Sequence, residues 1–143
     1  FVIGEVELVA RLIDGNYPGY KKLIPQKFET SAVIKTSDFV NITKVSSLFA
    51  RESAGSVNIE VAEDEGKVSI HSIASQLGEN TATADARVKG EGSITLNSRY
   101  ILDALNAIEG DEVEFCFNGK LEPCVLRNPK NKDYIHIIMP LKS

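Results

Sequence analysis

The feature that most constrains the fold is a repeated order of predicted elements. Most of the chain alternates apolar and polar residues with a period of two, as in residues 57–61, which predicts half-buried β-strands. Two segments, residues 37–52 and 98–108, instead carry apolar residues at helical spacing, with Ser37 or Asp38 as the expected cap of the first helix and Asn97 or Ser98 of the second. One predicted strand precedes each helix and three follow it, so a β-α-β-β-β unit occurs twice. This repeat predicts an α+β fold of two like units about a pseudo-twofold, with antiparallel sheets outside and two helices side by side.

Length and composition restrict the class of protein further. The chain has 143 residues, 43% hydrophobic and 25% charged, which is enough for one compact domain with a buried core. No apolar run approaches the roughly 20 residues of a membrane helix, so we expect no membrane partner. The net charge of −4 argues against tight nucleic-acid binding by the whole surface, but it leaves room for a local basic face. Because the sequence begins at Phe1 inside a strand-like segment, we expect it to be part of a longer chain.

The two cysteines, Cys116 and Cys124, flank Asn118-Gly119, which is a strong signal for a two-residue hairpin. That register would place Cys124 opposite Val113 and would direct the two thiols to opposite faces. We therefore expect free thiols rather than a disulfide. Free thiols are typical of a reducing cytoplasm.

No combination of residues predicts catalysis or metal binding. His71 and His136 lie in predicted strands, without a carboxylate or cysteine at a metal-ligand spacing. Residues 90–92 (Gly-Glu-Gly) join two strands and predict a turn rather than a phosphate loop. Neither a nucleophile motif nor a suitably placed pair of acids occurs. We therefore expect no catalytic residue, no metal, no cofactor and a non-enzymatic function.

The polar face of the first predicted helix could contact a phosphate backbone. This face consists of Asn41, Lys44, Ser47 and Arg51. It lies opposite the predicted apolar stripe, which consists of Phe39, Ile42, Val45 and Phe49. Arg99 on the second helix and Lys35 add positive charge, so weak contact without sequence preference is expected. Taken alone, the stripe is more commonly explained as an ordinary solvated helix face.

Three segments resemble the bacterial sliding clamp, the β subunit of DNA polymerase III. Residues 12–25, LIDGNYPGYKKLIP, resemble the linker between its second and third domains. Residues 99–108, RYILDALNAI, are similar to the second helix of its third domain, and residues 134–143 to its final strand and tail. The order and spacing of the three segments also match, so the resemblance covers essentially the whole chain.

The resemblance implies a DNA replication processivity factor in the bacterial cytoplasm, associated with the nucleoid. Two protomers would join head to tail, encircle duplex DNA without sequence preference, and tether the DNA polymerase III catalytic subunit, the clamp loader and other partners. Residues 1–13 would then be the last strand of the second clamp domain, residues 14–26 the interdomain linker, and residues 27–143 the third domain. The alternative is a stand-alone β-rich protein-binding module of similar fold without a DNA role. Sequence upstream of Phe1 would distinguish the two, because a clamp requires further units of the same kind.

The resemblance also implies a pocket that binds short peptides of partner proteins. The pocket residues would be Pro18, Lys22, Leu23, Leu121, Pro123, Ile137, Ile138, Met139, Pro140 and Leu141. Aliphatic side chains and one polarizable methionine suit varied apolar peptides. Strand alternation, however, directs either Ile137 or Ile138 into the core. Leu48 and Phe49 would lie at the head-to-tail interface, although Phe49 also fits the core stripe of its helix.

Overall fold

The computed structural model describes residues 1–17, 19–131 and 133–142, so the predicted docking residue Pro18 lies outside the described residues. The strands are β1 (Val2–Ile3), β2 (Val6–Glu7), β3 (Thr30–Lys35), β4 (Ser56–Ala62), β5 (Lys67–Ala74), β6 (Gly78–Lys89), β7 (Gly92–Asn97), β8 (Glu112–Phe117), β9 (Cys124–Arg127) and β10 (Ile135–Ile138). The helices are α1 (Thr36–Phe49), α2 (Ser98–Ala107) and a short 3-10 helix (Tyr20–Leu23).

The predicted repeat is present, which confirms the α+β architecture. The eight strands β3 to β10 form one antiparallel sheet in the order β10-β9-β8-β3-β6-β5-β4-β7. The first strand of each unit pairs with the second strand of the other unit, β3 with β8 and β7 with β4. In the first unit β6 also lies beside β3. The second unit reproduces this contact through a backbone hydrogen bond from Leu141 N to Thr95 O, 2.9 Å long, which places the chain after β10 beside β7.

One hydrophobic core joins the two units. It contains buried side chains from both helices and from strands of both halves of the sheet. At its centre the ring of Phe115 packs edge-on against Phe39, with ring centroids 5.8 Å apart, and against Phe117 at 5.3 Å. Such aromatic contacts add to the stabilisation that comes from burying the rings.

The buried side of α1 differs from the predicted stripe. Phe39 and Ile42 are buried as predicted, but Val45 is 44% exposed, so its assignment to the core is wrong. Thr43 and Ser46 are buried in its place. The Thr43 hydroxyl donates to the Phe39 carbonyl oxygen within the helix, so it needs no other partner. Small side chains therefore fill the contact with the sheet, and the apolar Val45 lies toward solvent.

The two helices begin in different ways. Asn97 caps α2 as predicted, since its Oδ1 accepts a 2.9 Å hydrogen bond from the amide of Arg99. The prediction that Ser37 or Asp38 caps α1 is wrong, because the helix already begins at Thr36. There the Thr36 amide donates to Asp111 O and its hydroxyl to Gly110 O, both at distances typical of good hydrogen bonds. Contacts with the chain before β8 thus replace a local cap.

The hairpin between β8 and β9 has a longer loop than predicted. Cys116 lies opposite Val125, which places Cys124 beside Phe117 rather than opposite Val113. Pro123 has no amide N–H to continue the ladder, so residues 118–123 form a loop instead of a two-residue turn. The shift is an even number of residues, so the thiols still point to opposite faces, and both are buried and free.

Burial makes both thiols unreactive in the native state, which gives a first testable prediction. Desolvation raises the pKa of Cys116 and of Cys124 to about 12. At pH 8 an aromatic disulfide reagent should therefore leave the native chain unmodified and titrate two thiols after denaturation. The unfolded thiols ionise from about pH 8.5 upward while the native ones do not. Stability should therefore decrease above that pH by up to about 1.4 kcal/mol per pH unit per thiol. Rapid labelling of the native chain would contradict the burial.

The first seventeen residues form no part of the sheet. The strand expected within residues 1–13 is replaced by a small hairpin in which β1 pairs with β2. Gly4, at a φ of 61°, turns the chain between them. Phe1, Ile3, Val6 and Leu8 line an apolar cavity of about 450 Å³ at this hairpin. No strand of the main sheet pairs with this segment among the described residues, and all of its side chains are exposed.

Candidate functional site

The exposed face of α1 carries most of the predicted DNA-facing residues. Asn41 and Lys44 are exposed, and Ser47 is half-buried with its hydroxyl donating to the Lys44 carbonyl oxygen. Arg51 is also exposed, but it lies in the turn after the helix, because α1 ends at Phe49. On α2, which packs against α1, Arg99 is exposed in the first turn. The structure therefore leaves three cationic side chains on or next to one helix pair available to solvent.

Lys35 differs from the other predicted DNA-facing residues in its surroundings. It borders a cavity of about 690 Å³ at the start of α1, together with Asp111, Glu112 and Lys130. Hydrogen bonding to Arg87, with Nη1 to Oε1 at 2.7 Å, lowers the pKa of Glu112, so this carboxylate stays ionised beside Lys35. Lys35 therefore lies among charged groups of both signs.

The predicted docking residues come from three segments, two of which the sheet brings together. Ile138 pairs with Cys124 in the β9–β10 ladder, so Met139 follows next to Pro123. Met139 is 56% exposed and Leu121, in the adjoining loop, is 71% exposed. Ile138 is only 3% exposed and belongs to the core, as alternation requires for one residue of this pair. The remaining members are half-buried: Pro123, Ile137, Pro140 and Leu141.

The third segment is the connector, residues 19–29, which carries the exposed side chains of Lys22 and Leu23 in the 3-10 helix. The side chain of Asn118 holds its end: Nδ2 donates to Lys27 O at 2.8 Å, and Oδ1 accepts from Glu29 N at 2.7 Å. Asn118 is also the first residue of the loop that contains Leu121. The end of the connector and the start of this loop are therefore in direct contact. The hairpin signal Asn-Gly gave no indication of this contact.

A second exposed apolar group lies where α1 ends. Leu48 is 50% exposed, and Phe49 is half-buried and lies outside the hydrophobic core, so the predicted core stripe does not extend to it. The carboxylate of Glu52 accepts from the amide of Ser75 at 2.8 Å, which holds the β5–β6 hairpin against this end of the helix. That hairpin exposes Ile73 and Leu77, which were absent from the predicted interface. Period-two alternation already marks Ile73, because the side chain lies on the outer face of β5.

Beside this group, β6 has an open edge. Its residues 78–85 pair with β5, whereas only residues 86–89 pair with β3. Within the part of the chain that the structure describes, the second edge of residues 78–85 has no strand partner. Open edges pair readily with a strand of another molecule or domain.

The two histidines each contact one neighbouring side chain. His71 contacts Thr81 across the β5–β6 ladder, with Nδ1 and Oγ1 3.0 Å apart, and His136 contacts Tyr134. Among residues 1–17, 19–131 and 133–142, no three His, Cys, Asp or Glu side chains gather as a metal-binding group. Neither α1 nor α2, the α-helices of the described residues, has the length and apolar character needed to cross a membrane.

This architecture agrees with a known protein family. Residues 21–142 match the family described as DNA polymerase III beta subunit, C-terminal domain. The chain belongs to this family. The resemblance found in the connector, the second helix and the tail is thereby confirmed for the chain as a whole.

Individual clamps support the assignment. The chain is 34% identical over 146 residues to the beta sliding clamp of Staphylococcus aureus (strain Mu50 / ATCC 700699), covering 100% of the chain and 38% of that relative. The crystal structure of the DNA polymerase III beta subunit from Thermotoga maritima superimposes with a TM-score of 0.87 at 27% identity, covering 93% of this chain and 36% of that one. The sliding clamp of Bacillus subtilis gives 0.85 at 31% identity, with 94% and 36% covered.

The chain thus spans 38% of the length of the curated clamp relatives it matches, at their C-terminal domain. The comparisons concern the family and the fold. The DNA-facing, docking and interface residues remain predictions, and the geometry above shows which of them are available to a partner.

Proposed function

We propose that the chain acts in DNA replication as a non-catalytic part of a sliding clamp that encircles duplex DNA and tethers the polymerase. The observation that carries this proposal is the exposed cationic group on the packed helix pair, Lys44, Arg51 and Arg99, in a chain of net charge −4. A clamp must hold DNA without fixing its position, which requires few phosphate contacts and no base contacts. An acidic protein with a small group of exposed cations on one helix pair meets that requirement. Its place would be the bacterial cytoplasm, at the nucleoid.

In this proposal the chain is divided as the clamp resemblance implies. Residues 1–13 are the last strand of a preceding domain, residues 14–26 the linker, and residues 27–143 the third domain. The full exposure of residues 1–17 supports the division, because apolar side chains such as Val6 and Leu8 would gain from packing on a neighbouring domain.

Head-to-tail assembly would use the apolar group at the end of α1. Leu48 contributes most, and Phe49 contributes through its exposed part. The exposed Ile73 and Leu77 and the open edge of β6 extend this surface, since a partner strand could satisfy the free backbone groups while the apolar side chains pack against it.

Partner proteins, namely the polymerase catalytic subunit, the clamp loader and others, would dock short peptides on the surface of Leu23, Leu121, Pro123, Met139 and Leu141. Two observations support this proposal: the β9–β10 ladder brings Met139 next to Pro123, and Asn118 ties the connector to the β8–β9 loop. Ile138 supports it from the core rather than by direct contact. Pro18 also belongs to the predicted set but lies outside the described residues.

Truncation of Met139 tests the docking proposal. The probe is the tightest binder among overlapping twelve-residue peptides that tile the polymerase III catalytic subunit, measured by fluorescence anisotropy with the full chain. Met139→Ala should weaken binding about tenfold, because that corresponds to about 1.4 kcal/mol, the value of burying about two methylene groups.

Two control variants locate the effect. Leu77→Ala removes another exposed apolar side chain, in the β5–β6 turn, and Glu63→Ala changes the β4–β5 turn. Neither should change the peptide dissociation constant. Equal weakening by Met139→Ala and Leu77→Ala would refute the assignment of the docking surface.

A further inference from the structure

We propose that Asn118 is a positioning residue that fixes the direction in which the connector leaves the domain and thereby sets the docking surface. The inference rests on the proposed docking function and adds to it a residue outside the apolar surface itself. Two sets of contacts support it. Asn118 bonds to Lys27 and Glu29, about ninety residues earlier in the sequence, and Arg127 packs on Phe28, which lies between them.

Asn118 holds the connector backbone on both sides of Phe28. Its amide donates to the carbonyl oxygen of Lys27 and its carbonyl accepts from the amide of Glu29, at 2.8 and 2.7 Å. This requires a donor and an acceptor on one short side chain, and the carboxamide supplies them on two separate atoms, Nδ2 and Oδ1, that reach the two backbone groups. Aspartate would keep the acceptor and lose the donor, and alanine would lose both.

The side chain between these two hydrogen bonds is also held. The guanidinium of Arg127 lies over the ring of Phe28, 5.8 Å from its centroid. Arg127 in turn bonds to Glu114, its direct neighbour across the β8–β9 ladder, with Nε to Oε2 at 2.6 Å. The cation is therefore fixed by the sheet, and Phe28 rests on a rigid surface.

The opposite side of the connector packs on the turn between β6 and β7. Gly90, at a φ of 73°, approaches so closely that a Cβ atom there would overlap the carbonyl oxygen of Glu29. One residue on, the Thr30 hydroxyl donates to Glu91 O at 2.9 Å. Residues 27–30 thus contact both the Asn118 loop and this turn. Lys22 and Leu23, which precede them, are exposed.

The position of Asn118 gives these contacts a functional consequence. It is the first residue of the loop that presents Leu121, and the connector it holds presents Leu23 four residues before Lys27. Without the two hydrogen bonds the connector could turn away from the loop, and a peptide would have to order it on binding. Lost preorganisation of this kind reduces affinity without removing a contact.

The experiment combines backbone hydrogen exchange with peptide binding in the full chain. In the wild type the Glu29 amide should be protected. Asn118→Ala should abolish this protection and weaken the binding of the tightest-binding polymerase peptide about three- to tenfold. Asn118→Asp retains the acceptor, so Glu29 should stay partly protected and affinity should fall less. This graded order distinguishes positioning from general loss of stability.

Asn128→Ala is the matched control. Asn128 also donates to a backbone carbonyl, that of Glu109, and accepts from a backbone amide, that of Lys130, but at the opposite end of the same strand pair. It should reduce stability to a similar degree and leave peptide affinity unchanged. If Asn118→Ala removes Glu29 protection but binds peptide like the wild type, the positioning role is wrong. If the wild type binds none of the peptides, the docking function is wrong, and the exchange result alone decides whether Asn118 fixes the connector.

Discussion

Replacement of Phe115 by alanine is expected to lower the free energy of unfolding by about 3–5 kcal/mol, the largest single effect predicted for this chain. The ring is fully buried and lies between Phe39 of α1 and Phe117 of the same strand. It therefore joins the helix layer to the strands of the second unit. Alanine would leave a cavity that the surrounding strands cannot close, because β8 pairs with β3 on one side and with β9 on the other.

Urea denaturation followed by circular dichroism measures this loss. Leu121→Ala is the control, since it removes a similar apolar side chain that is 71% exposed and should change stability by less than about 0.5 kcal/mol. Comparable losses in the two variants would mean that the aromatic cluster does not stabilise the fold as the packing indicates.

The architecture was predictable because its signals are local and repeated. Period-two alternation identified the strands of both units, and the order of strands around each helix suggested the pseudo-twofold. The sheet then joined the units crosswise through the β3–β8 and β7–β4 pairs, which no local pattern specifies. The periodicity of apolar residues identified the type of each element, whereas long-range pairing determined which strands lie next to each other.

The errors share a cause: a local signal was overridden by a distant contact. Val45 fits a helical stripe, yet Thr43 and Ser46 are buried because α1 lies close to the sheet. Asn118-Gly119 favours a tight turn, yet the asparagine side chain is used by the connector and Pro123 interrupts the ladder. When a side chain forms hydrogen bonds with a segment about ninety residues away, its role cannot be predicted from its neighbours in the sequence.

The candidate sites were predictable to different degrees. The polar face of α1 follows from helical spacing alone, and Lys44 is exposed as that spacing implies. The proposed docking residues came from the family resemblance, and the structure adds which of them are exposed: Met139 is exposed, whereas Ile138 is in the core. The surface of Ile73, Leu77 and the β6 edge went unpredicted because an edge is defined by a missing strand, which a sequence does not show.

Reversal of two charges on the proposed DNA-facing surface should have the second-largest effect. The double variant Lys44→Glu/Arg51→Glu removes two exposed cations, each able to neutralise one phosphate. Every phosphate contact contributes about −0.9 to the slope of log affinity against log salt, so the slope should become less steep by about 1.8. At about 0.1 M salt, each lost contact corresponds to roughly a tenfold loss in affinity for a duplex of arbitrary sequence.

The comparison that makes this result specific is a second variant with the same net charge. Each reversal changes the charge by two, so Lys44→Glu/Arg51→Glu and Lys89→Glu/Lys120→Glu both move the chain from −4 to −8. Lys89 and Lys120 are exposed but lie outside the helices, at the end of β6 and in the β8–β9 loop. Long-range repulsion of DNA is similar in both variants and is screened beyond about 10 Å at 0.1 M salt, so only the loss of direct contacts should make their DNA affinities differ.

Titration of a fluorescent 30-base-pair duplex at several salt concentrations, with circular dichroism to confirm folding, should show the changed slope for the helix variant alone. Equal slopes for the two variants would mean that α1 does not face the DNA.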